Sequence, residues 1–426
     1  KFKGRIVPVN PAGGKICGLT VIKSTDALPT NIDMGIVMLP AQNAPQIILE
    51  CAAKNIKTIV LAAGGFAEVD QLGKDLQAEL KSVISRTGVR VLGPNTAGHI
   101  STPQKFTSSF FPLGKIPSGP ISYIAQTGNF TGAMMRSIMS GEHYGVSRCV
   151  GLGNTVDIDE VDILDFLHND PSTGAIFIYL ESLHRPKEFF NLARKVTREK
   201  PVIMLKGGAT EGGAKAALSH TASMGSNDNI LEGALKQTGV VRVKDFSDLF
   251  TVAKAAAMMP VPAGNRIGFV SPSGAFIVHI LDLCQQRTQL VFSKISAQTQ
   301  SRLEEISPPF IKVTNPVDIF PSATVNGMEF AWRESMLALL SDPSVDAVVT
   351  ILILADELGS MKLDFIVELS EKYPDKPIYV SFSGDENNNA EAKAFLEPKG
   401  VPTFPRIGDP FKVLDILVRS RLALAS

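Results

Sequence analysis

The chain has 426 residues, of which 42 are basic and 42 acidic, so its formal net charge is zero. This balance provides no basic surface for nucleic acid or for an anionic membrane, and no apolar run is long enough to span a bilayer. The four cysteines, Cys17, Cys51, Cys149 and Cys284, have no paired spacing, which argues against a disulfide framework and a zinc site. A reducing, cytoplasmic location fits this pattern best.

Short apolar runs alternate with amphipathic, helix-length stretches along nearly the whole chain, as is typical of parallel α/β folds. Strands are predicted first over residues 4–10, 34–40, 58–63 and 90–94, then over 121–126, 147–153, 175–181, 201–208 and 240–243, and finally over 266–272, 345–354 and 377–384. Proline-rich stretches at 111–120 and 259–264 separate the three series. We therefore predict three α/β domains, over residues 1–117, 118–262 and 263–426.

The second and third predicted domains begin with the same pattern. ISYIAQTGNF (121–130) and IGFVSPSGAF (267–276) each place a hydroxyl residue and a glycine between a buried strand and a helix. Backbone N–H groups and the positive end of the dipole at such a helix beginning form an anion site. The alternative is that this pattern is only the ordinary turn of an α/β fold, but two matched copies favour a shared function.

The first predicted domain opens with a strand rather than with a glycine-rich phosphate loop, so we expect it to be incomplete at its N-terminus. A Walker A motif is absent, because the Gly-Lys pairs at 14–15, 73–74 and 114–115 are followed by Ile or Asp rather than by Ser or Thr. The stretch GGATEGGAK (207–215) resembles a dinucleotide fingerprint only loosely. ATP binding through a P-loop is therefore not expected.

His220 has the most unusual surroundings of the six histidines. It lies in ALSHTASMGS (217–226), where small and hydroxyl residues leave room for a bulky group on the imidazole. An imidazole oriented by a carboxylate can act as a nucleophile towards phosphorus. Glu181, at the end of a predicted strand, is the candidate carboxylate, because α/β sheets place their sites at the carboxyl edge. The alternative is an ordinary loop histidine. His279, in an apolar stretch, is expected to pack in a core.

Six stretches together resemble the NDP-forming acyl-CoA synthetases, a superfamily that includes succinyl-CoA synthetase and ADP-forming acetyl-CoA synthetase. They are AQTGNFTGAM, GLGNTVDIDEVDILDFL, IYLES, KGGATEGGAKAALSHTASMGSND, LKQTGVVRV and TNPVDIF, and the first domain adds VPVNP, GGFAEV and GPNTAG. The resemblance implies a Rossmann-like CoA-binding domain followed by two flavodoxin-like CoA-ligase domains. It also implies that ATP-grasp domains, in a partner subunit or a longer chain, bind ATP/ADP and Mg²⁺.

The resemblance further implies an ADP-forming acid–CoA ligase and assigns its site residues. His220 corresponds to the histidine that is phosphorylated, and Glu181 to the glutamate that orients it. Phosphate then passes from ATP to His220 and on to the carboxylic acid, and the CoA thiol displaces it from the acyl phosphate. The helix beginnings expected to bind phosphate comprise Gln126, Thr127, Gly128 and Asn129, and Ser273, Gly274 and Ala275. The expected CoA-binding residues are Asn10, Lys15, Pro40, Gly65 and Asn95. No metal ligands are predicted in this chain.

Three features depart from the family's pattern. Ala222 stands where glycine is more common, Thr96 replaces the cysteine of the family's GPNC turn, and the opening strand and glycine loop are absent. We expect the change to Thr96 to be tolerated. The incomplete first domain and Ala222 leave a second hypothesis, a non-catalytic CoA-responsive binding or regulatory module of the same fold. Citrate cleavage by a related lyase would need a citrate synthase-like extension, which this sequence does not show. A requirement for ATP-grasp domains favours a complex or an oligomer.

Overall fold

The computed structural model describes residues 2–221, 228–355 and 361–424, without the side chains of 217–221 and 422–424. The described chain forms two compact units. Unit 1 consists of Lys1–Ser140, Gly145–Val196 and Val202–Lys244, and unit 2 of Gly141–Tyr144, Thr197–Pro201 and Asp245–Ser426. The chain therefore contributes two short internal segments to unit 2 before its C-terminal part. The predicted boundaries of three domains stay a prediction.

Unit 1 contains twelve strands among the described residues. They are β1 (Lys15–Ile16), β2 (Leu19–Thr20), β3 (Gly35–Val37), β4 (Thr58–Leu61), β5 (Arg90–Leu92), β6 (His99–Ser101), β7 (Phe106–Thr107), β8 (Ser118–Ala125), β9 (Val146–Gly151), β10 (Ala175–Leu180), β11 (Val202–Lys206) and β12 (Val241–Val243). The helices that lie wholly or mainly in unit 1 are α1 (Ala44–Ala53), α2 (Gln71–Thr87), α3 (Ala133–Gly141), α4 (Glu160–Asn169), α5 (Pro186–Val196), α6 (Glu211–Thr221) and α7 (Asp228–Lys236).

Unit 2 contains the remaining elements. Its strands are β13 (Arg266–Ser271), β14 (Val291–Phe292), β15 (Val317–Asp318), β16 (Ala347–Leu354), β17 (Ile378–Gly384) and β18 (Thr403–Phe404). Its helices are α8 (Phe246–Met258), α9 (Gly274–Arg287), α10 (Ala297–Glu305), α11 (Phe320–Asn326), α12 (Met328–Ser341), α13 (Asp364–Lys372), α14 (Glu386–Leu396) and α15 (Asp409–Leu424). None of the helices in the described ranges is both long and apolar enough to cross a membrane.

The smaller sheet of unit 1 has three parallel strands in the order β3–β4–β5. Its apolar strands pack against α1 and α2 in one core, in which Ile48, Ile59 and Leu80 are fully buried. Helix α2 begins where the Asp70 side chain accepts a hydrogen bond from the Gly73 N–H at 2.8 Å. All three strands run in the same direction, so their carboxyl ends form one edge that can hold a ligand.

The larger sheet of unit 1 has seven strands in the order β12–β11–β10–β8–β9–β6–β7. Strands β8 to β12 are parallel, and β6 and β7 join them antiparallel at one side. Counted from β8 along the chain, the parallel strands lie 5-4-3-1-2, which is the flavodoxin-like order read from the other side. The point where this order reverses lies between β8 and β10.

Unit 2 repeats the same topology with different residues. Its parallel sheet has six strands, of which β15 pairs with β13 beside the main path. The other five have the order β14–β13–β16–β17–β18, which is 2-1-3-4-5 along the chain when β15 is not counted. Trp332 and Leu339 of α12 are fully buried in its core. The predicted α/β class with two flavodoxin-like sheets is therefore confirmed, and the matched beginnings of the two predicted ligase domains reflect two sheets of one design.

Two sequence expectations are wrong. Residues 4–10 do not form a strand: within the described residues only Val9 makes a β-bridge, with Ile22, and Ile6 is 58% exposed. An apolar run becomes a strand only where another strand pairs with its backbone groups. His279 is exposed rather than packed in a core, because α9 buries a different face, with Ile280 and Cys284. The other predicted strands all occur, with bounds shifted by a few residues.

Candidate functional site

Three predicted site segments meet at the carboxyl edge of the larger sheet of unit 1. Strand β8 ends just before Gln126 and Thr127, β10 ends just before Glu181, and β11 ends at Lys206, ahead of Gly207. Strand β10 lies between β8 and β11 in the sheet, so these segments are neighbours. The reversal between β8 and β10 is the position at which open α/β sheets bind their ligands.

Glu181 is 9% exposed, and side chains from both flanking strands hold its backbone. Its N–H donates to Gln126 Oε1 at 2.7 Å, and its carbonyl accepts from Lys206 Nζ at 2.6 Å. The Tyr179 hydroxyl donates to its carboxylate Oε1 at 3.1 Å. Burial, together with the Glu181 charge and this hydrogen bond, raises the pKa of Tyr179 well above its usual value. The phenol therefore keeps its proton and orients the carboxylate.

The side chain of Gln126 is committed to the turn that carries Glu181. Its Oε1 also accepts from the Ser182 N–H at 2.9 Å, and its Nε2 donates to Ser182 Oγ at 3.2 Å. The Gln126 N–H donates to the Tyr179 carbonyl at 3.0 Å. The side-chain amide and the backbone N–H of Gln126 are thus hydrogen-bonded within the protein. Gln126 therefore supports residues 181–182 in this structure.

The first predicted helix beginning differs from expectation in its geometry. Thr127 caps a single 3-10 turn, Gly128–Thr131, and its hydroxyl accepts from the Asn129 N–H at 3.3 Å. Helix α3 begins only at Ala133, since Gly132 interrupts the helical path with φ −121° and ψ −109°. The segment still turns sharply away from the sheet edge, but it does so before the long helix starts.

In unit 2 the matched stretch does begin an α-helix. Ser273 caps α9, and its hydroxyl accepts from the Phe276 N–H at 3.5 Å. Gly274 and Ala275 form the exposed first turn. A Cβ on Gly274 would lie 3.7 Å from Asp318 Oδ2, so a carboxylate borders this helix beginning. The sequence analysis did not single out Asp318, although it lies in the TNPVDIF motif.

His220 belongs to the last turn of α6 (Glu211–Thr221). Its side chain, and Ala222 with the rest of 222–227, lie outside the described residues. The structure does describe the start of this helix, where Thr210 Oγ1 accepts from the Gly213 N–H at 3.1 Å. Strand β11 and residues 207–210 thus lead from the Glu181 edge into the helix that carries His220, and the role of His220 stays a prediction.

Three of the five predicted CoA-binding residues lie at the carboxyl edge of the smaller sheet. Pro40 follows β3, Gly65 follows β4 and Asn95 follows β5. A Cβ on Gly65, which has φ +103°, would lie 3.3 Å from the Cβ of Ala41. A Cβ on Gly64 would lie 3.2 Å from Asn95 Oδ1. Side chains at these two glycines would fill the space between the loops, so their absence allows the loops after β3, β4 and β5 to approach one another closely.

The other two predicted CoA-binding residues lie in the N-terminal segment. Lys15 is an exposed residue of β1, which pairs with β2. The Asn10 N–H donates to the Ile22 carbonyl at 2.9 Å, and its side chain accepts from the Ala12 N–H at 2.9 Å. Both residues are exposed to solvent, which agrees with contact to a ligand and equally with an ordinary surface loop.

The GPNTAG loop (93–98) connects the two edges of unit 1. The Thr96 hydroxyl donates to the Gly151 carbonyl at 2.5 Å and accepts from the Gly98 N–H at 3.0 Å. These two hydrogen bonds explain how threonine is accommodated where the family usually has cysteine. A Cβ on Gly128 would lie 3.2 Å from the Cβ of Ala97. The loop that carries Asn95 therefore touches the turn that carries Gly128.

Glu68 is a further residue of this loop network that the sequence analysis missed. Its Oε1 accepts from the Gly65 N–H at 2.7 Å, and its Oε2 accepts from Asn154 Nδ2 at 2.6 Å. Burial alone would raise the pKa of Glu68, but these donors and the Phe66 N–H outweigh it and lower that pKa. The available signal was its place in GGFAEV (64–69), one of the stretches that carry the family resemblance. No cluster of metal-ligating side chains occurs within the described ranges.

Comparison with known proteins gives a consistent result. Residues 118–256 match the succinyl-CoA ligase like flavodoxin domain, and residues 1–101 match a CoA binding domain. The chain is 34% identical over 415 residues to acetate–CoA ligase [ADP-forming] II of Archaeoglobus fulgidus, an alignment that covers 97% of this chain and 61% of that protein. It is 32% identical over 430 residues to acetate–CoA ligase [ADP-forming] I subunit alpha of Pyrococcus furiosus, covering 98% and 90%.

The fold agrees with a solved structure. The Ca. Korarchaeum cryptofilum dinucleotide forming acetyl-coenzyme A synthetase 1, in complex with phosphate and ADP, aligns with a TM-score of 0.90 at 30% identity. The alignment covers 100% of this chain and 90% of that one. The chain thus spans 61% of the Archaeoglobus protein but 90% of the Pyrococcus alpha subunit. These matches over nearly the full length show that the chain belongs to the family of ADP-forming acetate–CoA ligases.

Proposed function

We propose that this chain is the CoA-binding and phosphohistidine part of an ADP-forming acid–CoA ligase, with a small carboxylic acid such as acetate as substrate. The observation that carries this proposal is the buried Glu181 at the reversal point of a flavodoxin-like sheet. Gln126 and Lys206 hold its backbone, and Tyr179 donates a hydrogen bond to its carboxylate. The acetate–CoA ligases among its relatives support the reaction class.

In the proposed reaction a neutral His220 imidazole is the nucleophile towards an acyl phosphate. One ring nitrogen attacks phosphorus, the bond between phosphorus and the acyl oxygen breaks, and the carboxylate leaves. Glu181 accepts a hydrogen bond from the N–H of the other ring nitrogen and stabilises the positive charge that develops on the ring. The reverse of this step forms the acyl phosphate from phosphorylated His220 and the acid.

The other predicted site residues enter this proposal as binding groups. Thr127, Gly128 and Asn129 in unit 1, and Ser273, Gly274 and Ala275 in unit 2, are proposed to bind phosphate oxygens through backbone N–H groups. Pro40, Gly65 and Asn95, with Asn10 and Lys15 of the N-terminal segment, are proposed to bind CoA. The contact between Ala97 and Gly128 supports delivery of the CoA thiol to the acyl phosphate.

ATP and Mg²⁺ are proposed to bind to ATP-grasp domains outside this chain. The Pyrococcus relative is a subunit alpha, which supports a partner subunit, and the greater length of the Archaeoglobus relative supports further domains in one chain. A complex of this kind in the cytoplasm fits the cysteines, which are free in this structure.

The test is phosphorylation of the chain by radiolabelled acetyl phosphate. We expect an acid-labile, base-stable label that maps to His220 and is lost in His220→Ala. The matched control is His168→Asn, in the last turn of α4, which should label like the wild-type chain. Label that persists in His220→Ala would contradict the proposal. Calorimetric CoA binding without any phosphohistidine would instead support the non-catalytic module.

A further inference from the structure

Lys206 is a buried cation whose two hydrogen bonds both go to backbone carbonyls at the candidate site. It is the last residue of β11 and is 5% exposed. Its Nζ donates to the carbonyl of Glu181 at 2.6 Å and to the carbonyl of Gly207 at 2.5 Å. Burial of an ammonium group costs free energy, and an apolar side chain could fill the same volume without that cost. The presence of lysine therefore indicates a requirement for its two hydrogen bonds.

Both carbonyls belong to segments that form the candidate site. Glu181 follows β10, and Gly207 starts the connection from β11 to α6. A Cβ on Gly207 would lie 2.8 Å from the Tyr179 hydroxyl and 3.3 Å from Glu181 Cγ. The connection thus packs directly against the Glu181 side chain, and Lys206 fastens the two segments to each other.

Gln126 holds the other side of the same residue. It accepts from the N–H of Glu181 at 2.7 Å, while Lys206 donates to the carbonyl of Glu181. Gln126 follows β8 and Lys206 ends β11, so each of the two strands beside β10 sends one side chain to the backbone of Glu181. A residue whose N–H and C=O are both fixed this way can shift little along or across the sheet edge.

The electrostatics agree with this geometry. Burial lowers the pKa of Lys206, and the nearby Arg242 guanidinium adds to the effect, while the charges of Asp228 and Glu181 oppose it. Arg242 is itself paired with Asp228 at 2.6 Å. The Glu181 charge thus favours the ammonium form of Lys206, which is the form that donates both hydrogen bonds.

We propose that Lys206 is a positioning residue, which together with Gln126 fixes the Glu181 carboxylate in the orientation that its partner imidazole needs. Lys206 acts through Glu181 and does not touch the substrate. This inference rests on the proposed function, because Glu181 has an imidazole to orient only if His220 is the nucleophile.

The test is a double-mutant cycle on single-turnover labelling by acetyl phosphate. In Lys206→Met we expect the rate constant at saturating acetyl phosphate to fall by about 100-fold, the loss typical of a misplaced catalytic group. The half-saturating concentration should not change. Lys206→Met in a Glu181→Gln background should be no slower than Glu181→Gln alone, since the effects of residues that act as one are not additive. Lys236→Met, on the exposed side of α7, is the control and should label at the wild-type rate.

Three outcomes of the labelling experiment would overturn the inference: a wild-type rate in Lys206→Met, additive losses in the double variant, or a change confined to the half-saturating concentration. Thermal melts show whether the variants fold, and Lys206→Gln, which can still donate to one carbonyl, should show an intermediate loss. A wild-type chain that takes no label contradicts the proposed function instead. A crystal structure of the lysine variant then decides the positioning role, because unmoved segments at 181–182 and 207–208 would refute it.

Discussion

His99, the first residue of β6, is an imidazole in largely apolar surroundings whose Nδ1 lies 2.8 Å from Ser108 Oγ. Burial, with a smaller contribution from the Arg148 guanidinium, lowers the pKa of His99 from 6.5 to about 4. Between pH 6.5 and about 4 the His99 ring is therefore mainly neutral in the folded chain, whereas the same ring in the unfolded chain is mainly protonated.

This difference predicts a pH-dependent stability. Between pH 6.5 and about 4 the unfolded state takes up the proton first, so stability falls as the pH falls, by at most about 3 kcal/mol. Above pH 6.5 both states are neutral at this position and the effect vanishes. Urea unfolding of unit 1 at several pH values should show a steeper acid loss for the wild-type chain than for His99→Gln. Parallel curves would contradict the assignment.

At the residue scale, the sequence predicts Glu181 as the carboxylate of the proposed site but does not predict the residues that hold it. Glu181 could be chosen because it ends an apolar strand at the edge where ligands bind. Lys206 also ends an apolar strand, yet its importance depends on β11 lying beside β10, which local sequence does not specify. His279 illustrates the same limit, since the apolar residues around it do not tell which face of α9 is buried.

At the scale of elements, Asn315 joins strands that would otherwise lack part of their hydrogen bonding. Its Nδ2 donates to the carbonyls of Ile267 at 2.8 Å and Ser293 at 3.0 Å, and its Oδ1 accepts from the Phe269 N–H at 2.9 Å. Ile267 and Phe269 belong to β13, and Ser293 follows β14. The asparagine of the TNPVDIF motif thus has a structural role, because it links β13 to the residue that follows β14.

Asn315→Ala should destabilise unit 2 by about 3 kcal/mol, because it removes three hydrogen bonds to the backbone of Ile267, Phe269 and Ser293. Of these groups, the Ile267 carbonyl still accepts from the Ser293 N–H at 2.9 Å. Asn387→Ala, on an exposed position of α14, is the matched control and should stay within about 0.5 kcal/mol of the wild-type chain. Denaturant titration of both variants checks the difference. Equal midpoints for the two would show that Asn315 does not support the sheet.

Helices and strands could be predicted where the residue pattern within the element itself determines its structure. Buried parallel strands such as β10 and β16 read as nearly continuous apolar runs, and the sequence identifies them directly. Two-residue strands such as β14 are too short for any pattern. The failure at residues 4–10 depends on neighbours in space, because within the described residues only an isolated bridge pairs with this run. The 3-10 turn after β8 depends instead on the backbone angles of Gly132, which the residue type alone does not specify.

At the scale of the whole molecule, unit 2 is held together by an ionic cluster built from distant parts of the chain. Lys254 is 1% exposed, and its Nζ lies 2.8 Å from Glu397 Oε1 and 2.9 Å from Glu142 Oε2. His143 Nδ1 lies 2.8 Å from Glu397 Oε2, and the Thr403 hydroxyl donates to Glu397 Oε1 at 2.7 Å. Every charged group in this cluster has an oppositely charged or hydrogen-bonding neighbour.

Lys254→Met should therefore lower the stability of unit 2 by about 3–5 kcal/mol, because Glu397 remains buried without its main counter-charge. The double variant Lys254→Met/Glu397→Leu should recover part of this loss, since it removes both charges. Chemical denaturation of the single and double variants measures the recovery. A double variant less stable than Lys254→Met would contradict the charge argument.

The short segments 141–144 and 197–201, which belong to unit 2 although unit 1 flanks them along the chain, limit how this protein can be cut. An expression fragment that starts at Asp245 keeps Lys254 and Glu397 but loses Glu142 and His143. A fragment whose boundary follows the linear sequence alone therefore separates Lys254 from Glu142, one of its two carboxylate partners. A fragment designed to contain unit 2 should therefore include both segments together with residues 245–426.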